Sequence, residues 1–310
     1  MFFLIEQKIP IYAKAKFDAA QIEAKVEKKC DGIELHLLKE MYPNNINDLS
    51  KKDLFKTMKN AYDTTCLYLY PIRAVHIPMV YENIETLVTG NLSFILKETF
   101  KIAQKSAEIW GGPVILVVHC EGNYCLIKNM DNFLDKIKEK LYELLDEFPL
   151  VEVGIENVSP LMVKNNSVIL RGGIYDDNIQ LCQYINHSRV GTTLDICHAQ
   201  LTEKYMSVIN REYGGEIPVN YSMENFIKIN APYIKLIHLA TYKGNGYGKG
   251  KHGVGFEDCN YPDIQNFVRL YKKYGYNCPI TLEVEEEDYY NCKRFEKTKE
   301  LLEKALKEID

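Results

Sequence analysis

The chain has 310 residues, 46% of them hydrophobic, with 38 Lys and Arg against 43 Asp and Glu, a formal charge of −5 and a pI near 5.9. That size and apolar content suffice for one large core, the lack of low-complexity stretches excludes a disordered or fibrous chain, and the acidic balance argues against a generally basic nucleic-acid-binding surface. Nine cysteines, an odd number without a CxxC pair, lack the pattern of a disulfide framework and point to a reducing cytoplasm. The start MFFLIEQKIP has no basic segment or small-residue cleavage site, and no later run reaches the length of a membrane span. Neither export nor membrane anchoring is expected.

In chain order, short apolar runs alternate with longer amphipathic stretches. A first strand at 2–5 or slightly later precedes a helix over 18–29, and strands at 32–37 and 72–77 lead to a helix over 92–110. A strand at 114–119 precedes a helix over 132–147, and strands follow at 151–156, 190–195 and 233–238. The chain closes with a helix over 261–274, a strand at 279–283 and a helix over 292–309. This repeated order implies parallel strands with right-handed crossovers. Eight strands predict an α/β fold, a (β/α)8 TIM barrel over 1–310 as a single domain. A doubly wound sheet would carry a Gly-rich fingerprint after its first strand, and no GxGxxG stands there. The irregular connections 157–174, 196–221 and 239–260 follow strands five, six and seven.

In a barrel the C-terminal strand ends converge on one face. His76, His119, Glu156, Asp195, His238 and Glu283 all close strands; Asp195 and His198 form a DxxH pair, and His252 lies in the Gly-rich loop after strand seven. An ionised carboxylate ending VEVGIE or PITLE is costly without a cation or hydrogen bonds. One such histidine alone is more often structural; the whole set predicts a divalent metal site at the C-terminal ends of the strands. His187, ahead of strand six, reads as structural. Alternation sends Glu34 and His36 to the side opposite Ile33, Leu35 and Leu37, which makes them candidate substrate contacts. Lys243, Lys249 and Lys251 in TYKGNGYGKGKHG are candidate phosphate contacts on a loop that otherwise reads as solvated.

The ordered series GIEL, VHIP, VVH, GIEN, LDICHA, IHL, HGVG and TLE resembles the xylose isomerase-like TIM barrels over essentially the whole chain. That superfamily holds sugar and sugar-phosphate isomerases and epimerases together with the endonuclease IV family (AP endonuclease family 2). The resemblance to the first branch implies one divalent ion, manganese, zinc or cobalt, held by Glu156, Asp195, His238 and Glu283, with His198 beside the substrate. The second branch implies several zinc ions, adding His76, His119 and an Asp-x-His pair that would include His252, with His198 a further possible ligand. Gly250 stands where that aspartate would be, Leu-Ala-Thr follows His238 where the nucleases place Asn-Asp, and Ile-Pro-Met follows His76 where they place an aromatic residue. These departures favour a metal-dependent sugar or sugar-phosphate isomerase or epimerase. Glu156 and Glu283 would then act as base and acid through an enediolate, with His198 steadying a hydroxyl. The alternative is an apurinic-site nuclease, and only under it is nucleic acid a partner. A metal-retaining protein without catalysis is disfavoured by the presence of both glutamates. A homo-oligomer is a further family expectation.

Overall fold

The structure is a computed structural model and describes residues 8–37, 66–77, 93–119, 131–158, 161–164, 167–170, 177–213, 221–244, 251–256 and 264–309. Eight parallel strands close into a barrel: β1 (Ile11–Lys16), β2 (Gly32–His36), β3 (Ile72–His76), β4 (Val114–His119), β5 (Val151–Glu156), β8 (Val190–Asp195), β9 (Ile234–Leu239) and β12 (Ile280–Leu282). They stand in chain order around the barrel, and β12 pairs with β1 to close it. Two antiparallel hairpins stand apart, β6 (Leu161–Lys164) with β7 (Ser167–Leu170) and β10 (Thr241–Lys243) with β11 (Lys251–Val254).

The barrel strands after the first begin and end within one residue of their expected bounds. The first differs: it lies at Ile11–Lys16, while residues 2–5 fall outside the described residues. Its sequence IYAKAK is poor in large apolar side chains, because a strand in a filled barrel needs only alternate small residues on the outer face. Ile11, Ala13 and Ala15 are buried in the large core beneath the helices, whereas Tyr12 packs inward on Ala74, Ile115, Val117 and Leu236.

The three connections expected to be irregular contain regular structure. The segment 157–174 carries the β6–β7 hairpin, 196–221 carries the helix Ile196–Tyr213, and 239–260 carries the β10–β11 hairpin. The helix Ile196–Tyr213 starts directly at the end of β8 because Asp195 Oδ1 accepts the backbone N–H of His198 at 2.6 Å, satisfying an end-of-helix donor. The β10–β11 hairpin is tied down at two points: Thr241 Oγ1 donates to Gln200 Oε1 at 3.1 Å, and Glu285 N donates to the Gly253 carbonyl at 2.7 Å. Gly253 has φ +72°, and a Cβ there would lie 2.9 Å from Glu285 Cγ. The hairpin and the loop after β12 therefore approach too closely for any other residue.

The helices Ala19–Glu27, Ser93–Trp110, Asp131–Glu147, Ile264–Lys273 and Lys293–Glu308 follow the expected segments, and Cys66–Leu69, Asp177–Ile185 and Met223–Asn230 add to them. The first, Ala19–Glu27, is capped by Asp18, whose carboxylate accepts from Ala20 and Gln21. No helix among the described residues is long and apolar enough to cross a membrane.

Candidate metal centre

Parallel register turns strand ends into neighbours. His36 pairs with His76, His119 with Glu156, and Asp195 with His238. Glycine helps the layer beneath to fit: a Cβ on Gly154, two residues before Glu156, would lie 2.2 Å from Thr193 Oγ1 and 3.3 Å from Ile115 Cγ2. The glycine of GIE thus lets Thr193 occupy the barrel interior below the carboxylate.

The result is a buried cradle of imidazoles and carboxylates. Donor atoms of Glu156, Asp195, His238 and Glu283 lie within 4.8 Å of one another, as do those of His76, His119 and Glu156, so Glu156 belongs to both groups. His238 Nδ1 stands 3.4 Å from Glu156 Oε2 and 3.3 Å from Glu283 Oε2. Ligands on a tetrahedral ion at about 2.0–2.2 Å are separated by roughly 3.3–3.6 Å. Among the described residues, neither His238 Nδ1 nor Glu156 Oε2 finds a hydrogen-bond partner, although both are buried. Orphaned donors and acceptors facing one another at ligand spacing are what a divalent ion would satisfy, and the chemistry of the set fits one.

Glu34 sets which nitrogen of His238 faces the cradle. It is fully buried, with Oε2 3.0 Å from His238 Nε2 and Oε1 3.0 Å from His36 Nε2. An ionised carboxylate only accepts, so His238 Nε2 carries the proton and Nδ1 is directed to Glu156 and Glu283. Such a carboxylate behind a ligating imidazole orients it and raises its basicity. The Glu34→Gln variant should therefore bind a divalent cation about 10–100-fold more weakly while keeping every candidate ligand. Calorimetric titration with Mn2+ checks this, and unchanged affinity would remove Glu34 from that role.

Electrostatics reflect four carboxyl groups packed together. Asp195 is pushed up to about 7 by burial, reinforced by Glu283 and Glu156 and opposed by His198. Burial acts on Glu156 and Glu283 in the same direction, but His238 and His119 outweigh it for Glu156, and Lys14 and His238 for Glu283. Both stay well below the usual carboxylate range. Burial pulls His238 down, yet Glu34, Glu156 and Glu283 raise it well above the ordinary imidazole value. Without a cation, a proton on His238 supplies positive charge where an ion would stand, and cation binding would displace it. His36 goes the other way, to about 4, through burial and the nearby Lys14 and His76.

The second group has its own geometry. His76 Nδ1 is 2.8 Å from the Ile77 carbonyl and so bears the proton, which leaves Nε2 as the ligand-type nitrogen. That Nε2 lies 3.1 Å from His119 Nε2, and both are 3.3 Å from Glu156 Oε2. His198 also borders Glu156: Nδ1 is 2.8 Å from the Asn157 carbonyl and 3.4 Å from Glu156 Oε1. Burial lowers the His198 imidazole, but Asp195, Glu156 and Glu283 prevail and leave it raised.

The remaining expected residues are placed as follows. Lys243 is exposed on β10, Lys251 and His252 lie on β11, and Lys249 and Gly250 fall outside the described residues. His187 stacks edge-on with Tyr142 and accepts from Arg189 N, away from the cradle. Two residues of the site were not anticipated. Asn157 ties β5 to β8 reciprocally, donating to the Asp195 carbonyl at 2.9 Å and accepting from Asp195 N at 2.8 Å. Lys14 donates to Glu283 Oε1 at 3.2 Å with its side chain only 11% exposed. The alternating Lys in IYAKAK was its signal, and the apolar FFLI ahead of it obscured the true strand.

Fold and cradle together define a (β/α)8 barrel with a candidate divalent-cation centre at the C-terminal ends of its strands. The model of the xylose isomerase-like TIM barrel family matches residues 96–309, and the chain belongs to that family. No curated protein sequence matches the chain. Among solved structures, a 3-keto-D-glucoside 4-epimerase from E. coli aligns with a TM-score of 0.58 at 12% identity, covering 96% of this chain and 100% of that one. A D-tagatose 3-epimerase-like protein aligns at 0.57 with 17% identity, covering 97% and 100%. An AP endonuclease, family 2, from Brucella melitensis aligns at 0.53 with 12% identity, covering 93% and 98%. At such identities the likeness is one of fold.

Proposed function

We propose that the chain is a divalent-metal-dependent isomerase or epimerase of a sugar or sugar phosphate, working as one barrel over residues 1–310 in the cytoplasm. The observation that carries this reading is the group Glu156, Asp195, His238 and Glu283, with His238 Nδ1 and Glu156 Oε2 orphaned at ligand spacing. Sugar epimerases among proteins of the same fold support it. So, for the location, do Cys30, Cys182, Cys197, Cys278 and Cys292, which are free thiols.

These four residues would hold the ion, manganese, zinc or cobalt, which when bound supplies Lewis-acid polarisation of a carbonyl and acidifies the adjacent C–H. Glu156 and Glu283 close strands on different sides of His238, so a carboxylate oxygen of one takes a proton from carbon while the other returns it. Removal and return by different groups allows inversion at that carbon through an enediolate. His198, held by the Asn157 carbonyl through Nδ1, presents its other nitrogen to a substrate hydroxyl. The burial of the cradle excludes bulk water and strengthens each of these contacts.

One observation favours a second reading. His76, His119 and Glu156 form a further cation-sized group sharing Glu156, a two-ion arrangement suited to phosphodiester hydrolysis. Metal analysis with activity assays separates the two. The sugar reading expects one exchangeable Mn2+ or Co2+ per chain with turnover of a ketose. Two or three tightly held Zn2+ per chain, with incision of an abasic duplex, would replace it by the nuclease reading.

A further inference from the structure

The run Phe2, Phe3, Leu4, Ile5 is not the first strand of the barrel, which begins at Ile11, and residues 1–7 lie outside the described residues. Four large apolar side chains in succession are unfavourable to leave in water. The described chain starts at Lys8, and Lys8 stands on the lip of a groove of about 740 Å³. This groove lies at the end of the barrel remote from the metal centre, where β1 begins and where the flanking helices Ile264–Lys273 and Lys293–Glu308 finish.

Its wall is apolar and incompletely covered. Ile9 and Leu306 pack on the core and stay partly exposed, beside the buried Ile11 and Tyr276. β1 meets β12 here, Ile11 to Ala13 pairing with Ile280 to Leu282, so the groove opens beside the seam at which the barrel closes. The chain entering that seam is fixed: Ile280 N donates to the Pro10 carbonyl at 2.9 Å, and Ile11 N to Asp31 Oδ2 at 2.9 Å. At about 3.6 Å per extended residue, Ile5 lies no farther than roughly 11 Å from Lys8 and Phe2 no farther than roughly 22 Å, which puts the groove within reach of the whole run. The lip carries Lys8, Lys272 and Lys307 against Glu303. A second copy seated face to face would bring these lysines onto their own kind, whereas Glu6, directly after the run, brings them a carboxylate.

We propose that this groove is the docking surface for the chain's own residues 2–5, which fold back over it as a strap, with Glu6 toward the lysines of the lip. β1 turns Ile11, Ala13 and Ala15 to the core beneath the helices, two of the three being alanines, so the closing seam gains from the strap apolar cover that its own strand does not supply. The strap is at the opposite end of the barrel from Glu156 and is independent of the reaction proposed above.

The test uses the full chain as wild type, as a strap variant carrying Phe2→Ser, Phe3→Ser, Leu4→Ser and Ile5→Ser, as the groove variant Leu306→Glu, and as the two combined. By hydrogen exchange, the amides of residues 3–6 are expected to be protected about tenfold or more in wild type and to exchange freely in Leu306→Glu. Exchange should rise at residues 275–277 and 303–307 in the strap variant. In denaturant unfolding the strap variant should raise the unfolding constant about 10–100-fold, the range for uncovering one or two large apolar side chains, and adding Leu306→Glu should not multiply that loss. Free exchange of residues 3–6 in wild type overturns the proposal, as do losses that multiply in the combined variant. Protection that vanishes on dilution while a dimer dissociates also overturns it, and gives the groove to a second copy. If Leu306→Glu does not fold, Leu306→Ala takes its place in the same comparison.

Discussion

Glu156→Gln is expected to lose measurable binding of a divalent cation and to lower turnover by about 10²–10⁴-fold. Glu156 is the residue on which both cation-sized groups depend: Oε2 lies 3.3 Å from the Nε2 atoms of His76 and His119 and 3.4 Å from His238 Nδ1. The substitution keeps the shape but puts an NH2 group or a neutral carbonyl among three imidazoles. The formal charge that attracts the ion is gone, and so is the base that takes the proton from carbon. The checks are a Mn2+ titration and steady-state rates on the ketose identified for the wild type. A variant that kept full turnover would contradict proton transfer by Glu156, and one that bound Mn2+ with wild-type affinity would contradict its place in the cradle.

Lys25→Ala should destabilise the protein by about 3–5 kcal/mol without touching the cradle. Lys25 Nζ donates to Glu286 Oε1 at 2.8 Å, with the two side chains only 2% and 1% exposed. Glu286 also accepts from the backbone N–H groups of Phe295 and Arg294, so it caps the last helix, Lys293–Glu308, with a carboxylate. The Lys25 ammonium further lies 4.8 Å from the centre of the Phe295 ring. Removing the lysine leaves a buried charge with two backbone partners and no counterion, just three residues after Glu283. Denaturant unfolding of the cation-free protein measures the loss. A change below about 1 kcal/mol, the range of an exposed pair, would show that solvent reaches this site.

Much of this architecture is legible in the sequence, for reasons that differ between residues. The runs ending at His76, His119, Glu156 and Asp195 are rich in Val, Ile and Leu because strands of a parallel barrel are covered on both faces, and their polar last residues stand out against that background. β1 lacked this contrast. Ala and Lys suffice where the interior is filled by Tyr12 and by the aliphatic stem of Lys14, so the apolar FFLI upstream drew the expectation away. The hairpins β6–β7 and β10–β11 leave no such mark in the sequence because strands of three or four residues give too few alternations to register.

By itself, the sequence determined the strand-and-helix alternation, hence the barrel, and the identity of the residues at the mouth, because closure of the barrel makes strand ends adjacent whatever their separation along the chain. Only the tertiary structure decided what each residue meets there. Glu34 looked like a pocket residue, and lateral register instead places it behind His238 and His36 with both oxygens engaged. Asn157 reads as the last letter of GIEN, and its partner Asp195 lies 38 residues away on the neighbouring strand. Lys14 faces Glu283 across 269 residues because β1 and β12 meet at the closing seam. Such pairings depend on ångström-scale register and on the tautomer each neighbour imposes, and those are properties of the closed barrel rather than of any segment within it.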